Sequence, residues 1–254
     1  MTEFDESKHP RDEDGKFTSK DGSKEYRQNT SYGEILGRKS KKKFFHKLAN
    51  VDKNNFREHT AHAENVYKKG YIAGAKKGNK MSFTQADNGA CNPYYNKIKG
   101  YKENCQTCVA VYVARRLGYN VRALPYFYNG PYANDTMRTL ANNPYKAYKD
   151  IYGEQPQSIE YDGSNKQEFL EKTIKKSEIY SVSVGWKDGN YHIIIAEKDK
   201  NGELFLYDPQ SNKKYTNNKV SQYFNKTKGR IVCANLTNVT MNEIVCDKVM
   251  KKVN

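Results

Sequence analysis

Three consecutive strands are predicted between residues 179 and 208, and they constrain the fold more than any other part of the chain. Residues 179–186 alternate between Val182, Val184 and Trp186 on one face and Ser or Gly on the other. This period of two is typical of a strand. Short Gly-containing turns connect this strand to residues 191–197 and then to 203–208. Because such short turns join antiparallel neighbours, the sequence predicts an antiparallel sheet.

Helical patterns surround these strands. Residues 104–118 contain no Pro and no Gly before the final Gly, which predicts a helix that begins near Cys105 with Asn104 as its N-cap. Residues 165–174 have the capping spacing of a second, short helix, and residues 231–236 read as a last strand. This order indicates an α+β fold in which the helix that carries Cys105 packs on an antiparallel sheet.

Composition divides the chain into four parts. Residues 1–33 are polar and lack apolar periodicity, which predicts a disordered tail. Residues 34–80 contain 13 Lys and Arg against 4 Asp and Glu, and predict a basic helical extension with an amphipathic helix over 55–77. Residues 81–241 then form the α+β domain, and residues 242–254 a basic C-terminal tail.

The net charge of +15 over 254 residues favours an anionic partner. Residues 34–80 are the predicted contact region for DNA or another anionic surface, although a solvated helix face explains the same charge. No stretch has the length and apolarity of a membrane span or of a signal peptide. We therefore expect no membrane association and a location in the cytoplasm.

Cys105 is the candidate nucleophile. In the first turn of a helix, a thiolate is favoured by the helix dipole. A redox role for Cys105 and Cys108 requires a buried strand directly before them, and residues 97–103 are too polar to form one. Structural zinc would need a second close pair, which Cys233 and Cys246 do not form. An odd total of five cysteines also argues against a disulfide framework, so we expect no disulfides, metal or cofactor.

His192 is the only one of the five histidines in the predicted α+β domain, so it is the candidate base. If the hairpin turns over residues 199–202, position 192 faces about position 209. Asp208 then lies within about one residue of His192, where side chains meet across strands. Each residue alone also suits a structural role. Together they predict a triad in which His192 activates Cys105 and Asp208 orients His192.

Several short motifs resemble a papain-like toxin-type (Tox-PL-like) domain that occurs in phage head morphogenesis proteins and in bacterial polymorphic toxins. The motifs are residues 92–95 (NPYY), 104–108 (NCQTC), 115–121 (RRLGYNV), the strand Trp186, His192 and residues 206–211 (LYDPQS). Residues 9–20 also resemble a short element of phage head and portal proteins. The resemblance implies a papain-like cysteine hydrolase that attacks an amide or thioester of a protein substrate.

The same resemblance implies a cleft with an oxyanion hole. The backbone N–H of Cys105 is one natural donor, and Asn104 or Gln106 is a candidate for the second. Gln210 and Trp186 are further candidate cleft residues. Such domains often have Gly before the catalytic His, whereas this chain has Tyr191, which predicts a narrowed cleft or a degenerate site.

Two functional hypotheses follow. The first is a phage-associated cysteine peptidase or deamidase, a toxin or effector, which acts in the host bacterium or the virion. Its basic extension would dock on capsid or portal proteins or on DNA. The alternative is a non-catalytic phage head-associated protein that has a structural role or binds DNA through residues 34–80.

Overall fold

Period-two apolar residues build the centre of this protein, whose computed structural model describes residues 71–127 and 134–254. The described helices are α1 (Phe83–Ala86), α2 (Cys105–Arg116), α3 (Asp135–Asn142), α4 (Lys166–Thr173), α5 (Asn218–Phe224) and α6 (Glu243–Val249). The described strands are β1 (Tyr71–Ile72), β2 (Ala75–Lys76), β3 (Val121–Ala123), β4 (Tyr148–Lys149), β5 (Ser158–Tyr161), β6 (Ile179–Trp186), β7 (Tyr191–Lys198), β8 (Leu204–Asp208), β9 (Lys213–Thr216), β10 (Thr227–Asn235), β11 (Thr240–Met241) and β12 (Met250–Lys252).

Six of these strands form one sheet in the order β5-β10-β6-β7-β8-β9. Every neighbouring pair in it is antiparallel. The predicted strand over residues 179–186 is confirmed without a shift, and β7 and β8 lie within one residue of their predicted bounds. The predicted α+β class with an antiparallel sheet is therefore confirmed. None of the described helices is long and apolar enough to cross a membrane.

Both faces of the sheet are covered. Ile193 and Ile195 of β7 pack in the cluster that includes α2, whereas Ile194 faces the cluster that includes α4 and α5. Each of these buried Ile side chains stabilises the fold by about 1.5–3 kcal/mol. Ser181 and Ser183 of β6 are also fully buried, beside the hydroxyl of Tyr145. The face of β6 that carries small polar residues is thus an interior face.

Helix α2 is buried along nearly its whole length and lies against the middle of the sheet. It ends before Gly118, which has a φ of +108° in the left-handed region where glycine is favoured. A Cβ on Gly118 would lie 2.4 Å from the carbonyl oxygen of Gly78. The predicted end of this helix at glycine is therefore confirmed, and the close approach of residue 78 adds a steric reason for it.

The predicted N-terminal boundary of the domain differs from the structure. Residues 71–76 form the hairpin β1–β2 rather than the end of an amphipathic helix. Ala73 and Gly74 adopt positive φ angles at the turn, and Ile72 and Ala75 are buried in the core. Strand pairing and burial override the helical periodicity here. The predictions for residues 1–70, the tail and most of the basic extension, lie outside the described residues.

The predicted C-terminal tail also differs from the structure. Residues 242–254 contain helix α6 and strand β12, which pairs with β3. Cys246, Val249 and Met250 are buried in the same cluster as α2. The lysines of this segment are exposed and give it the composition of a tail, whereas the apolar residues spaced between them are buried.

A buried polar cluster, which we call the clamp, joins α2 to β7. Glu197 accepts hydrogen bonds from Tyr112 and from Arg116, and the Arg116 Nη1 lies 2.7 Å from the Glu197 carboxylate oxygens. Arg116 also donates to the Tyr112 hydroxyl at 2.6 Å. Tyr112 is fully buried and the Glu197 side chain is 5% exposed. Because each buried polar group has a partner, the clamp fixes how α2 lies along β7.

Glu197→Ala is expected to lower the free energy of unfolding by about 3 kcal/mol, since it leaves Arg116 and Tyr112 without their partner in a mostly buried site. The measurement is urea unfolding of both proteins. Glu203→Ala is the matched control because Glu203 is exposed near the next turn, and it should change stability by no more than about 0.5 kcal/mol. Equal effects of the two variants would contradict a stabilising role for the clamp.

Candidate active site

Cys105 is the first residue of α2, as predicted. Asn104 occupies the N-cap position, but its side chain does not cap the helix. The first backbone N–H with an intrahelical partner is that of Cys108, which donates to the Asn104 carbonyl at 3.0 Å. The N–H groups of the first turn therefore keep the positive end of the helix dipole open to a negative charge beside Cys105.

The side chain of Asn104 is used instead to anchor the chain beneath the site. Its Nδ2 donates to the Leu124 carbonyl at 2.9 Å, and its Oδ1 accepts from Cys108 Sγ and from Gln210 Nε2, each at 3.3 Å. Asn104 is 2% exposed and does not line the cleft described below. Its amide is therefore placed as a structural link rather than as the hypothesised oxyanion donor.

Asn92 completes this buried amide network, although in the sequence it stands out only as part of the 92–95 motif. Its Nδ2 donates to the carbonyls of Tyr101 and Gln210, both at 2.8 Å. The network thereby joins the loop before α2 to the segment that follows β8. An Asn directly before a Pro is a turn signal, but its long-range partners are not readable from the sequence.

His192 and Asp208 meet as predicted, although the strand register differs by one residue. Ile195 lies opposite Tyr207, and extending this register by three residues would place His192 opposite position 210 rather than 209. Asp208 is then a diagonal neighbour on the same face, and its Oδ2 lies 3.2 Å from His192 Nε2. Diagonal cross-strand pairs are within reach of long side chains, which is why the contact survives the shift.

Asp208 is itself held in place by the turn that follows it. Its Oδ1 accepts from the backbone N–H of Gln210 at 2.9 Å, and its Oδ2 accepts from the Ser211 hydroxyl at 2.6 Å. Ser211 is thus a further residue of the site. The Asp-Pro-Gln-Ser order is a signal for it, because an Asp at the start of a turn bonds to groups two and three residues later.

The electrostatics favour a charged His192–Asp208 pair. Burial opposes the imidazolium, but hydrogen bonds with Asp208 and Cys105, together with the negative charges of both groups, raise the pKa of His192 to about 10. Burial likewise opposes the carboxylate of Asp208, yet the hydrogen bond and charge of His192, with the contacts from Ser211 and Gln210, lower the pKa of Asp208. His192 is therefore protonated at neutral pH beside Cys105.

Cys105, His192 and Asp208 all open onto one cleft of about 730 Å³. The other predicted cleft residues that line it are Gln106, Gln210 and Trp186. Gln106 Oε1 lies 3.3 Å from Cys105 Sγ, and the Trp186 ring is stacked near His192 with a centroid distance of 6.2 Å. The wall also contains Tyr95, which belongs to the 92–95 motif, and three residues that no sequence pattern indicated, Lys102, Tyr126 and Arg138. Arg138 comes from α3, and Lys102 and Tyr126 come from segments outside the quoted motifs.

Tyr191 lines the cleft and lies directly opposite Gly185 of β6. A Cβ built on Gly185 would lie 3.4 Å from the Tyr191 ring, so the ring packs over the glycine. The absence of a side chain at residue 185 leaves room for the ring of Tyr191 beside His192, at the position where papain-like toxin-type domains often have a glycine.

The other cysteines are distinguished from Cys105 by their surroundings. All five cysteines are free, and Cys91, Cys108, Cys233 and Cys246 are completely buried. Burial raises the pKa of the Cys108 thiol, as do the neighbouring charges of Cys91 and Cys105. Cys105 alone lines the cleft. Within residues 71–127 and 134–254, no group of three or more His, Cys, Asp or Glu side chains is arranged to hold a metal ion.

The stability of the fold should depend on the charge of His192. Its pKa is raised from 6.5 to about 10 on folding, so its contribution is complete below pH 6.5 and is lost as pH rises to about 10. We expect the difference in free energy of unfolding between wild type and His192→Gln to shrink over this window. In a Cys105→Ser background, Asp208 is the remaining group that raises the pKa of His192. The stability contribution of the imidazolium should therefore disappear at a lower pH than in the wild type. A difference that grows with pH would contradict a protonated His192.

Comparison with known proteins adds no family to these observations. No protein-family model matches the chain, and no curated protein sequence matches it significantly. The resemblance to papain-like toxin-type domains is therefore confined to the short motifs around Cys105, His192 and Asp208.

Proposed function

We propose that this protein is a papain-like cysteine hydrolase that acts on an acyl group of a protein substrate. The observation that carries the proposal is the shared cleft, where Cys105 at a helix N-terminus lies beside a His192 that is bonded to Asp208. A nucleophile, a base and a group that orients the base are the parts that covalent acyl transfer requires.

His192 activates Cys105 in this proposal. Because Nε2 of His192 is engaged by Asp208, Nδ1 is the nitrogen left to exchange a proton with the thiol. A protonated imidazole stabilises the thiolate by charge, and the open helix N-terminus adds to this effect. The thiolate attacks the acyl carbon of the substrate, a C–S bond forms, and the carbonyl oxygen becomes an oxyanion.

The oxyanion is stabilised by the backbone N–H groups at the start of α2. They are free of a side-chain cap since Asn104 is committed to Leu124, Cys108 and Gln210. His192 then donates its proton to the leaving amine, the C–N bond breaks, and a thioester with Cys105 remains. Water attacks this thioester while His192 accepts its proton, and the released acid and the Cys105 thiolate complete the cycle.

The wider setting belongs to the same proposal. The cleft accepts an amide or thioester of a protein, as in peptidases and deamidases, and the chain acts as a phage-associated toxin or effector in the host bacterium or in the virion. Residues 34–80 dock on capsid or portal proteins or on DNA. No cofactor or metal takes part in this chemistry.

The first test is alkylation by iodoacetamide as a function of pH, with the modified cysteines identified by mass spectrometry. Cys105 should be the cysteine that is modified, because it lines the cleft beside His192 whereas the other four are completely buried. His192→Ala should slow this reaction by at least roughly tenfold at mildly acidic pH. The four buried cysteines serve as internal controls. Equal rates for Cys105 in the two proteins would exclude an activated pair.

The second test is turnover. A library of peptide amides separates the two main chemistries, since a peptidase releases a new N-terminus and a deamidase releases ammonia from Gln or Asn. Cys105→Ser should lower kcat on the order of 10³-fold or more, since the hydroxyl is not ionised by His192. Cys108→Ser is the matched control, because Cys108 is buried behind the site, and it should retain turnover if folded. Undiminished turnover in Cys105→Ser would overturn the proposal.

A further inference from the structure

A second concave site lies next to the cleft. It is a groove of about 500 Å³ whose lining includes Tyr94, Arg122, Lys251 and Lys252, and we call it the basic groove. Tyr94 faces the basic groove, whereas the next residue, Tyr95, lines the catalytic cleft. The two sites therefore meet at adjacent residues of one loop.

The side chain of Arg122 is held in place by two tyrosines. Its guanidinium carbon lies 4.9 Å from the centroid of the Tyr94 ring, and its Nη1 is 3.4 Å from the Tyr101 hydroxyl. Lys97 also lies over the Tyr94 ring, with its Nζ 5.6 Å from the centroid. A stacked guanidinium loses little conformational freedom when it binds a carboxylate with two parallel hydrogen bonds.

The basic groove also contains a repulsive pair. Arg122 of β3 lies directly opposite Lys251 of β12, and Lys252 follows on the same strand. Like charges directly opposite each other on paired strands are destabilising. Within the part of the chain that the structure describes, no salt bridge to a carboxylate involves Arg122, Lys251 or Lys252. An anion between these cations would relieve the repulsion.

We propose that the basic groove binds an acidic segment of the protein substrate, rich in Asp or Glu, while a neighbouring part of that substrate occupies the catalytic cleft. The inference rests on the proposed function for its connection to catalysis. Carboxylates match the fork of Arg122, and the cations are clustered in one pocket rather than spread along a stripe as for duplex DNA. The Tyr94 ring is already covered by two cations, so it is a poor platform for a stacked base.

The test measures binding of a fluorescein-labelled oligoglutamate peptide by anisotropy, with the full chain carrying Cys105→Ala to prevent turnover. The double variant Arg122→Gln, Lys251→Gln should weaken binding by roughly tenfold or more. Arg122→Lys keeps the charge but loses the planar fork, so it should weaken peptide binding only a few-fold. Unchanged thermal unfolding of each variant shows that the fold is retained.

The matched control is Lys200→Gln, Lys219→Gln, which removes the same charge at two exposed lysines that line neither the basic groove nor the cleft. It should leave the peptide affinity within about twofold, since remote surface charges are screened by salt. The proposal is overturned if the control weakens binding as much, or if oligoglutamate does not bind. It is also overturned if the groove variant loses affinity for a labelled DNA oligonucleotide and not for the peptide.

Failure of the basic groove and failure of the proposed function give different results. If Cys105 proves unreactive while oligoglutamate binding still depends on Arg122 and Lys251, the hydrolase proposal falls and the anion site stands. If a substrate with an acidic segment is turned over, the groove variant should raise KM with kcat unchanged. An unchanged KM would overturn the proposal that the basic groove binds the substrate, and it would leave the hydrolase proposal intact.

Discussion

The contact between α2 and β7 is the constraint on which the rest of the site depends. At one end, the clamp of Tyr112, Arg116 and Glu197 fixes the helix to the strand. At the other end lie Cys105 and His192. A helix rises roughly 17 Å over the eleven residues from 105 to 116, and a strand extends roughly 17 Å over the five residues from 192 to 197. The matched lengths bring nucleophile and base to one cleft.

The buried amide network fixes the start of α2 to a second part of the fold. Asn104, Asn92 and Gln210 connect the start of α2, where Cys105 lies, to the segment that follows Asp208 at the end of β8. A buried amide is costly unless its groups are paired, and these amides find partners across the fold. The arrangement leaves the first turn of α2 without a side-chain cap, which is a local loss of helix stability and a gain for negative charge beside Cys105.

Charge is organised on two scales in this protein. Within the cleft, one imidazolium is balanced by Asp208 and by Cys105, and burial makes their mutual attraction strong. Outside the cleft, positive charge is common, because the chain has a net charge of +15. The basic groove differs from other basic surface in the arrangement of its side chains. The stacked Arg122 and its like-charged partner Lys251 are features that a uniformly basic surface does not require.

The sequence alone determined the central antiparallel strands, the start and end of α2, and the proximity of His192 to Asp208, because period-two alternation, turn residues and a terminal glycine act locally. Tertiary structure decided what depends on distant partners. It placed residues 71–76 and 242–252 in the core, engaged Asn104 below the cleft, moved the β7–β8 register by one residue, and paired Arg122 with Lys251. Burial and strand pairing couple residues far apart in the chain, and no local pattern records which partner each will find.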